Sequence, residues 1–198
     1  MKDTVSASAA TDIKGLGSAD AVIAVFECVN ASRVGEAPIG GGRRRPTSSP
    51  FHWPVRTVQV RIPCAGRLQP EHLLKTFEEG YDAVCVIACA DNNCHCLEGS
   101  KRGLRRVEYV RGLLNELGLG GDRLLFFNLP GSAREDMALG AGSNGAQAQQ
   151  DFSAQTQAVV QQVMDALAQL TPSPFRKNRP ATEPVEVNIE ASEEEDSD

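Results

Sequence analysis

Aromatic residues make up 5% of the 198 positions, with one Trp and two Tyr. So few rings beside the basic residues give no stacking surface for nucleic acid, and no recognition motif is present. No apolar run reaches the length of a membrane span, and Met1 to Asp20 is Ser/Ala/Asp-rich without the apolar stretch of a signal peptide. The expectation is a cytoplasmic chain with no membrane insertion. A phosphate cradle is also missing, because Gly40-Gly41-Gly42 precedes arginines and lacks the G-x-x-x-x-G-K-[ST] pattern. There is no Cys-x-x-Cys, which removes the usual low-pKa thiol-exchange pair, and no paired ribbon of cysteines as structural zinc favours.

What the chain does have is six cysteines, and a charge that is unevenly spread. Residues 183–198 hold eight acids and no Lys or Arg. Setting those aside leaves 18 acids against 20 bases in the first 182 residues, so the net charge of −6 describes a tail and the body is about +2. The length suits one domain. The polar segment 1–19 and the acidic tail 172–198 are expected to be disordered, leaving an ordered α/β domain over 20–171.

Within that domain, Ala21 to Phe26 is a short apolar, β-branched run of the kind buried on both faces, and Cys28 follows it. Val55 to Ile62 alternates and ends at Pro63-Cys64. Pro70 to Glu79 puts Leu73, Leu74 and Phe77 on one helical face and stops at Gly80. Tyr81 to Ala88 is a third strand, opening into Cys89-Ala-Asp-Asn-Asn-Cys94-His95-Cys96. Ser100 to Leu117 is an amphipathic helix with Leu104, Val107, Val110, Leu113, Leu114 and Leu117 as its stripe. Arg123 to Leu129 reads as a fourth strand, Gly131 to Gln150 as loop, and Phe152 to Leu170 as a last helix. Ala31 to Pro54, with Arg43, Arg44 and Arg45, has loop composition. Strands alternating with helices predict a single open, mainly parallel four-stranded sheet flanked by helices, flavodoxin-like in outline.

This topology gives the cysteines a location. Cys28, Cys64, Cys89 and Cys94 all fall at or just beyond strand carboxyl ends, the edge at which open parallel sheets carry their sites. Clustered thiols in a reducing compartment point to metal or thiol chemistry ahead of disulfides. Cys85 lies inside the third strand and reads as a small core residue. Cys96 is a further candidate ligand, and His95 a candidate ligand or hydrogen-bond donor. Spacing alone leaves zinc, [2Fe–2S] and [4Fe–4S] open.

The segments Val60 to Arg67, Glu71 to Phe77, Gly80-Tyr-Asp-Ala-Val84, Cys89-x4-Cys94-His95, Leu104-Arg-Arg-Val107 and Leu113-Leu-x-Glu-Leu-Gly118 together resemble the delta subunit family of methyl-viologen-reducing hydrogenases. The resemblance covers about Ala21 to Leu129. It implies an iron–sulfur subunit with a [2Fe–2S] cluster on Cys28, Cys64, Cys89 and Cys94. Its role would be to pass electrons between a partner oxidoreductase and the flavin of a heterodisulfide reductase A-like subunit, in an anaerobic, electron-bifurcating hetero-oligomer. One departure stands out. The family's C-N-W-C after the first strand reads Cys28-Val29-Asn30-Ala31 here, so the second thiol and the aromatic are missing. Zinc in place of the cluster, or a scaffold without metal, are the alternatives. Arg67, Lys101, Arg102, Arg105 and Arg106 lie near the expected cluster edge, as a solvated face or a docking face for an acidic or flavoprotein partner. Asn92, Asn93 and the Ala65-Gly66 backbone are candidate hydrogen-bond donors to sulfur, and Gly66 could allow close backbone approach.

Overall fold

The structure is a computed structural model, and it describes residues 20–32, 49–91, 94, 96–129, 145–178 and 187–188. The expected strands are present as β1 (Val22–Cys28), β2 (Arg56–Ile62), β3 (Ala83–Cys89) and β4 (Leu124–Leu129). A two-residue β5 (Val187–Asn188) adds to them. All pair in parallel, in the order β4-β3-β1-β2-β5. Read from β2, the four long strands run 2-1-3-4, the order of a flavodoxin-like sheet, and the switch point lies between β1 and β3.

The helices are α1 (Pro70–Glu78), α2 (Gly99–Glu116) and α3 (Gly145–Gln169). Because strand side chains alternate, each strand feeds two cores. Val84, Val86, Leu124 and Phe26 pack with Leu73 and Phe77 of α1 and Val107, Val110 and Leu114 of α2. On the other face Ile23, Val25, Cys85 and Ile87 meet Val159, Val163 and Leu167 of α3, with Phe51 and Trp53 stacked at 5.4 Å beside them. Among the described residues no helix is long and apolar enough to cross a membrane.

Two local expectations change. The buried face of α2 is Gly99, Gly103, Val107, Val110 and Leu114, while Leu117 is 67% exposed and Leu104 and Leu113 sit at the margin. Two glycines therefore extend the stripe that leucines suggested. The last helix starts at Gly145 and so takes in residues expected to be loop, since its Ala/Gln-rich first turns are made of helix formers. His72 lies at the surface and closes the first turn of α1, where its Nδ1 accepts from the Gln69 N–H at 3.0 Å.

At the amino edge of the sheet the chain is tied by one carboxylate. Asp82 is fully buried and accepts from Val22 N at 3.0 Å, Ser173 N at 2.9 Å and Arg176 Nε at 2.8 Å. Arg123 donates to the Asp82 carbonyl and to Thr171 Oγ1. Packing thus continues past Thr171. The Arg43 to Arg45 segment lies outside the described residues.

Candidate metal centre

Register decides what the carboxyl edge can assemble. β1 and β3 pair up to Glu27↔Ile87, so Cys28 and Cys89, the last residues of their strands, emerge side by side at the switch point. Their sulfurs are 3.7 Å apart. β1 and β2 pair up to Cys28↔Ile62, and Cys64 stands two residues further on. Its turn, Ala65–Arg67, is a single 3-10 turn whose Gly66 N–H donates to Cys64 Sγ at 3.4 Å. Cys94 follows in the connection to α2.

A glycine joins these halves. A Cβ added to Gly99, the first residue of α2, would lie 2.1 Å from Cys64 Sγ and 3.3 Å from Cys94 Sγ. The hydrogen on Gly99 is what leaves these two sulfurs their space. Gly66 repeats the theme, since its Cβ would stand 2.8 Å from Gly99 Cα, as the expected close approach requires. Gly103 packs on Ala65 in the same way, its Cβ falling 3.0 Å from the Ala65 carbonyl oxygen. Arg106 then donates to the carbonyls of Gly66 and Leu68 and clamps the turn. Of the five basic residues expected at this edge, Arg106 is therefore a brace, and Arg67, Lys101, Arg102 and Arg105 are exposed.

Cys28, Cys64, Cys89 and Cys94 are buried, as is Cys85 in the middle of β3; Cys96 is exposed. Asn92, Asn93 and His95 lie outside the described residues. Ala31 is fully buried in the same cluster as the four thiols. Among the described residues, no three His, Cys, Asp or Glu side chains are gathered as around a single ion. Cys28 pairs with Cys89, whereas Cys64 lies with Cys94 and Cys96 about Gly99 and hydrogen-bonds with the Cys96 side chain.

Cys28 and Cys64 differ electrostatically. The Cys28 thiol is brought down to about 6, chiefly because Cys89 hydrogen-bonds to it, against burial and with help from the backbone around Asn30, Ala31 and Ala65. Burial pushes Cys64 up to about 12; the Gly66 amide works the other way, and the neighbouring Cys96 and Cys28 thiols add to the rise. Cys85 is raised by burial and the nearby Glu27 charge, which suits a core thiol. Glu27 itself is fully buried, with Ser49 Oγ donating to it at 2.7 Å. In the sequence the signal of Glu27 is a lone acid closing an otherwise apolar run.

Thiol donors, a glycine cradle and amides aimed at sulfur suit a thiolate-bound cluster. The family model for the methyl-viologen-reducing hydrogenase, delta subunit, matches residues 23–141, which include all the candidate ligands. The chain belongs to this family. Relatives of this delta-subunit chain include the iron-sulfur D subunit of the vhu F420-non-reducing hydrogenase of Methanococcus maripaludis, 32% identical over 114 residues, covering 58% of this chain and 80% of that protein. The protein of the same name from Methanocaldococcus jannaschii is 33% identical over 108 residues, 54% of this chain and 75% of its own length. The A subunit of the ferredoxin:CoB-CoM heterodisulfide reductase of Methanosarcina mazei is 30% identical over 76 residues, 38% of this chain but 10% of that larger protein.

Proposed function

We propose that this delta-subunit chain is an electron relay that holds a [2Fe–2S] cluster on Cys28, Cys64, Cys89 and Cys94. The relay would pass single electrons between a partner oxidoreductase and a flavin-containing heterodisulfide reductase A-like subunit, within a cytoplasmic, anaerobic, electron-bifurcating hetero-oligomer. The observation that carries it is the gathering of thiols at the carboxyl edge, Cys28 beside Cys89 at the switch point and Cys64 beside Cys94 about Gly99, which suits a two-iron core that takes four cysteine ligands. Related iron–sulfur subunits of hydrogenases support the cofactor class. The similar stretch inside the A subunit of a heterodisulfide reductase supports the partner, because one polypeptide there carries both parts.

When bound, such a cluster supplies reversible one-electron transfer at a potential set by burial and hydrogen bonds to sulfur. The protein's own contribution is the environment. The Gly66 N–H on Cys64 and the backbone amides around Cys28 stabilise thiolate, and the burial of all four sulfurs keeps water off them. Cys96 stands in the same loop as a further candidate, exposed to solvent.

Anaerobic purification, followed by an absorption spectrum and iron and zinc analysis, tests the proposal. About two irons per chain with dithionite-bleachable charge-transfer bands are expected. Zinc alone, or a colourless metal-free protein, would favour the structural alternative instead.

A further inference from the structure

Two of the candidate ligands are placed for a bond to each other. The ladder that pairs Glu27 with Ile87 puts Cys28 opposite Ala88, so Cys89 stands one residue further along the neighbouring strand. Parallel strands about 4.8 Å apart, rising about 3.3 Å per residue, set such staggered Cα atoms about 6 Å apart, inside the usual disulfide range. The sulfurs themselves are 3.7 Å apart and share a hydrogen bond. Backbone holds both residues in place. Val29 N donates to the Ile62 carbonyl at 3.0 Å and Ala90 N to the Leu129 carbonyl at 2.6 Å, which carries the ladders one residue past each cysteine. Closing the remaining gap therefore takes side-chain rotation and no shift of a strand.

The surroundings favour this partner over the other thiols. Cys28 and Cys89 are each 2% exposed, so a bulky thiol such as glutathione does not reach them. A hydroperoxide, little larger than water, enters when the strand ends open locally. Cys85 is sealed in the middle of β3, and Cys64 lies across the edge with Cys94 and Cys96 about Gly99, in a hydrogen bond with the Cys96 side chain. A sulfur oxidised at the switch point thus has its resolving thiol already in contact.

We propose that Cys28 and Cys89 are a reversible modification site, a disulfide that joins the ends of β1 and β3 when a hydroperoxide oxidises the chain before a cluster is loaded. One of the two sulfurs attacks the O–O bond, becomes a sulfenic acid and releases a water. The other displaces that hydroxyl to form the S–S bond, and its proton leaves with the hydroxyl as a second water. Two thiols and one hydrogen peroxide give one disulfide and two waters, with two electrons passing from sulfur to oxygen. The consequence for loading rests on the proposed function: the bond takes up two of the four ligands, so an oxidised chain binds no cluster until it is reduced. The bond itself needs no cluster.

The test is to treat the full, chelator-stripped chain with one equivalent of hydrogen peroxide, alkylate the remaining thiols and map all six cysteines by mass spectrometry. Cys28 should be linked to Cys89 within one chain, Cys85 should be recovered as a thiol after denaturation, and a phosphine reductant should restore the pair. In urea the link should become about tenfold rarer, because an unfolded chain closes short loops such as Cys89 to Cys94 ahead of one spanning 61 residues. Cys96→Ser should keep the link. Both cysteines alkylated, either one linked elsewhere, links only between mixed light and heavy chains, an equal yield in urea, or loss of the link with Cys96 would each overturn the inference. Iron uptake from ferrous iron and sulfide keeps the two readings apart: the oxidised chain should take up about tenfold less than the reduced one. A linked chain that loads fully would overturn the ligand role of the pair and leave the disulfide standing, whereas an unlinked chain that loads iron would overturn the disulfide alone.

Discussion

A Cβ on Gly99 would stand 2.1 Å from Cys64 Sγ. Gly99→Ala is therefore expected to displace Cys64 or push α2 away, and the protein should bind much less iron. Gly112, in the same helix, has nothing within 4 Å of its Cβ position. Gly112→Ala should gain about 1 kcal/mol from helix propensity and keep its iron. Iron content and thermal midpoint measured on both variants separate cradle from helix: a Gly99→Ala protein with full iron would contradict the cradle.

The ligand assignment divides the six cysteines. Cys28→Ser, Cys64→Ser, Cys89→Ser and Cys94→Ser should each abolish the charge-transfer bands, whereas Cys85→Ser should retain them and lose about 1–3 kcal/mol, because it puts a hydroxyl into a sealed strand. Cys96→Ser is expected to keep the bands as well, since that thiol faces solvent. The absorption spectra of the six variants decide it, and a colourless Cys85 variant would overturn the set.

In metal-free protein one thiolate should form far below the ordinary cysteine range. Cys28 is lowered from 9.0 to about 6, so the folded chain releases this proton before the unfolded chain does. A lowered folded value stabilises the fold above the unfolded pKa, and that contribution fades as pH falls toward 6. Cys64, raised to about 12, acts with the opposite sign: its contribution is complete below 9 and is lost as pH rises through 12. Ultraviolet thiolate absorbance of the apoprotein should rise with a midpoint near 6. Cys89→Ala should move that midpoint upward, because the hydrogen bond from Cys89 is its main cause and alanine carries no donor.

The sheet and the edge carrying the thiols were legible because apolar runs and strand ends are local patterns, and Cys28, Cys64 and Cys89 lie at or within two residues of such ends. The pairing of Cys28 with Cys89 was not, because strand order is a tertiary property that neither run contains. Glycine was harder still. Gly99 and Gly103 are silent in a hydrophobic pattern, which runs through Leu104, Leu113 and Leu117, although backbone approach to the Cys64 turn turns the helix toward its glycines. In the sequence Arg106 is indistinguishable from the solvent-facing bases beside it, because the Gly66 and Leu68 carbonyls it braces lie about forty residues away. Asp82, beside an apolar strand, gave no sign of partners about ninety residues away.

That carboxylate supports the last prediction. Asp82 is fully buried, and its oxygens serve Val22 N, Ser173 N and the Arg176 guanidinium together. Asp82→Ala strands two buried amide donors and removes the counter-charge of Arg176, so the loss should be about 3–5 kcal/mol, as for breaking a buried pair. Urea unfolding of the variant measures it. Since Asp82 lies at the amino edge and the thiols at the carboxyl edge, the protein that remains folded should still take up iron at the wild-type ratio. A loss below about 1 kcal/mol would mean that Arg176 and the 173–176 segment are held by other contacts. A folded variant unable to bind iron would mean that the two edges of the sheet are coupled.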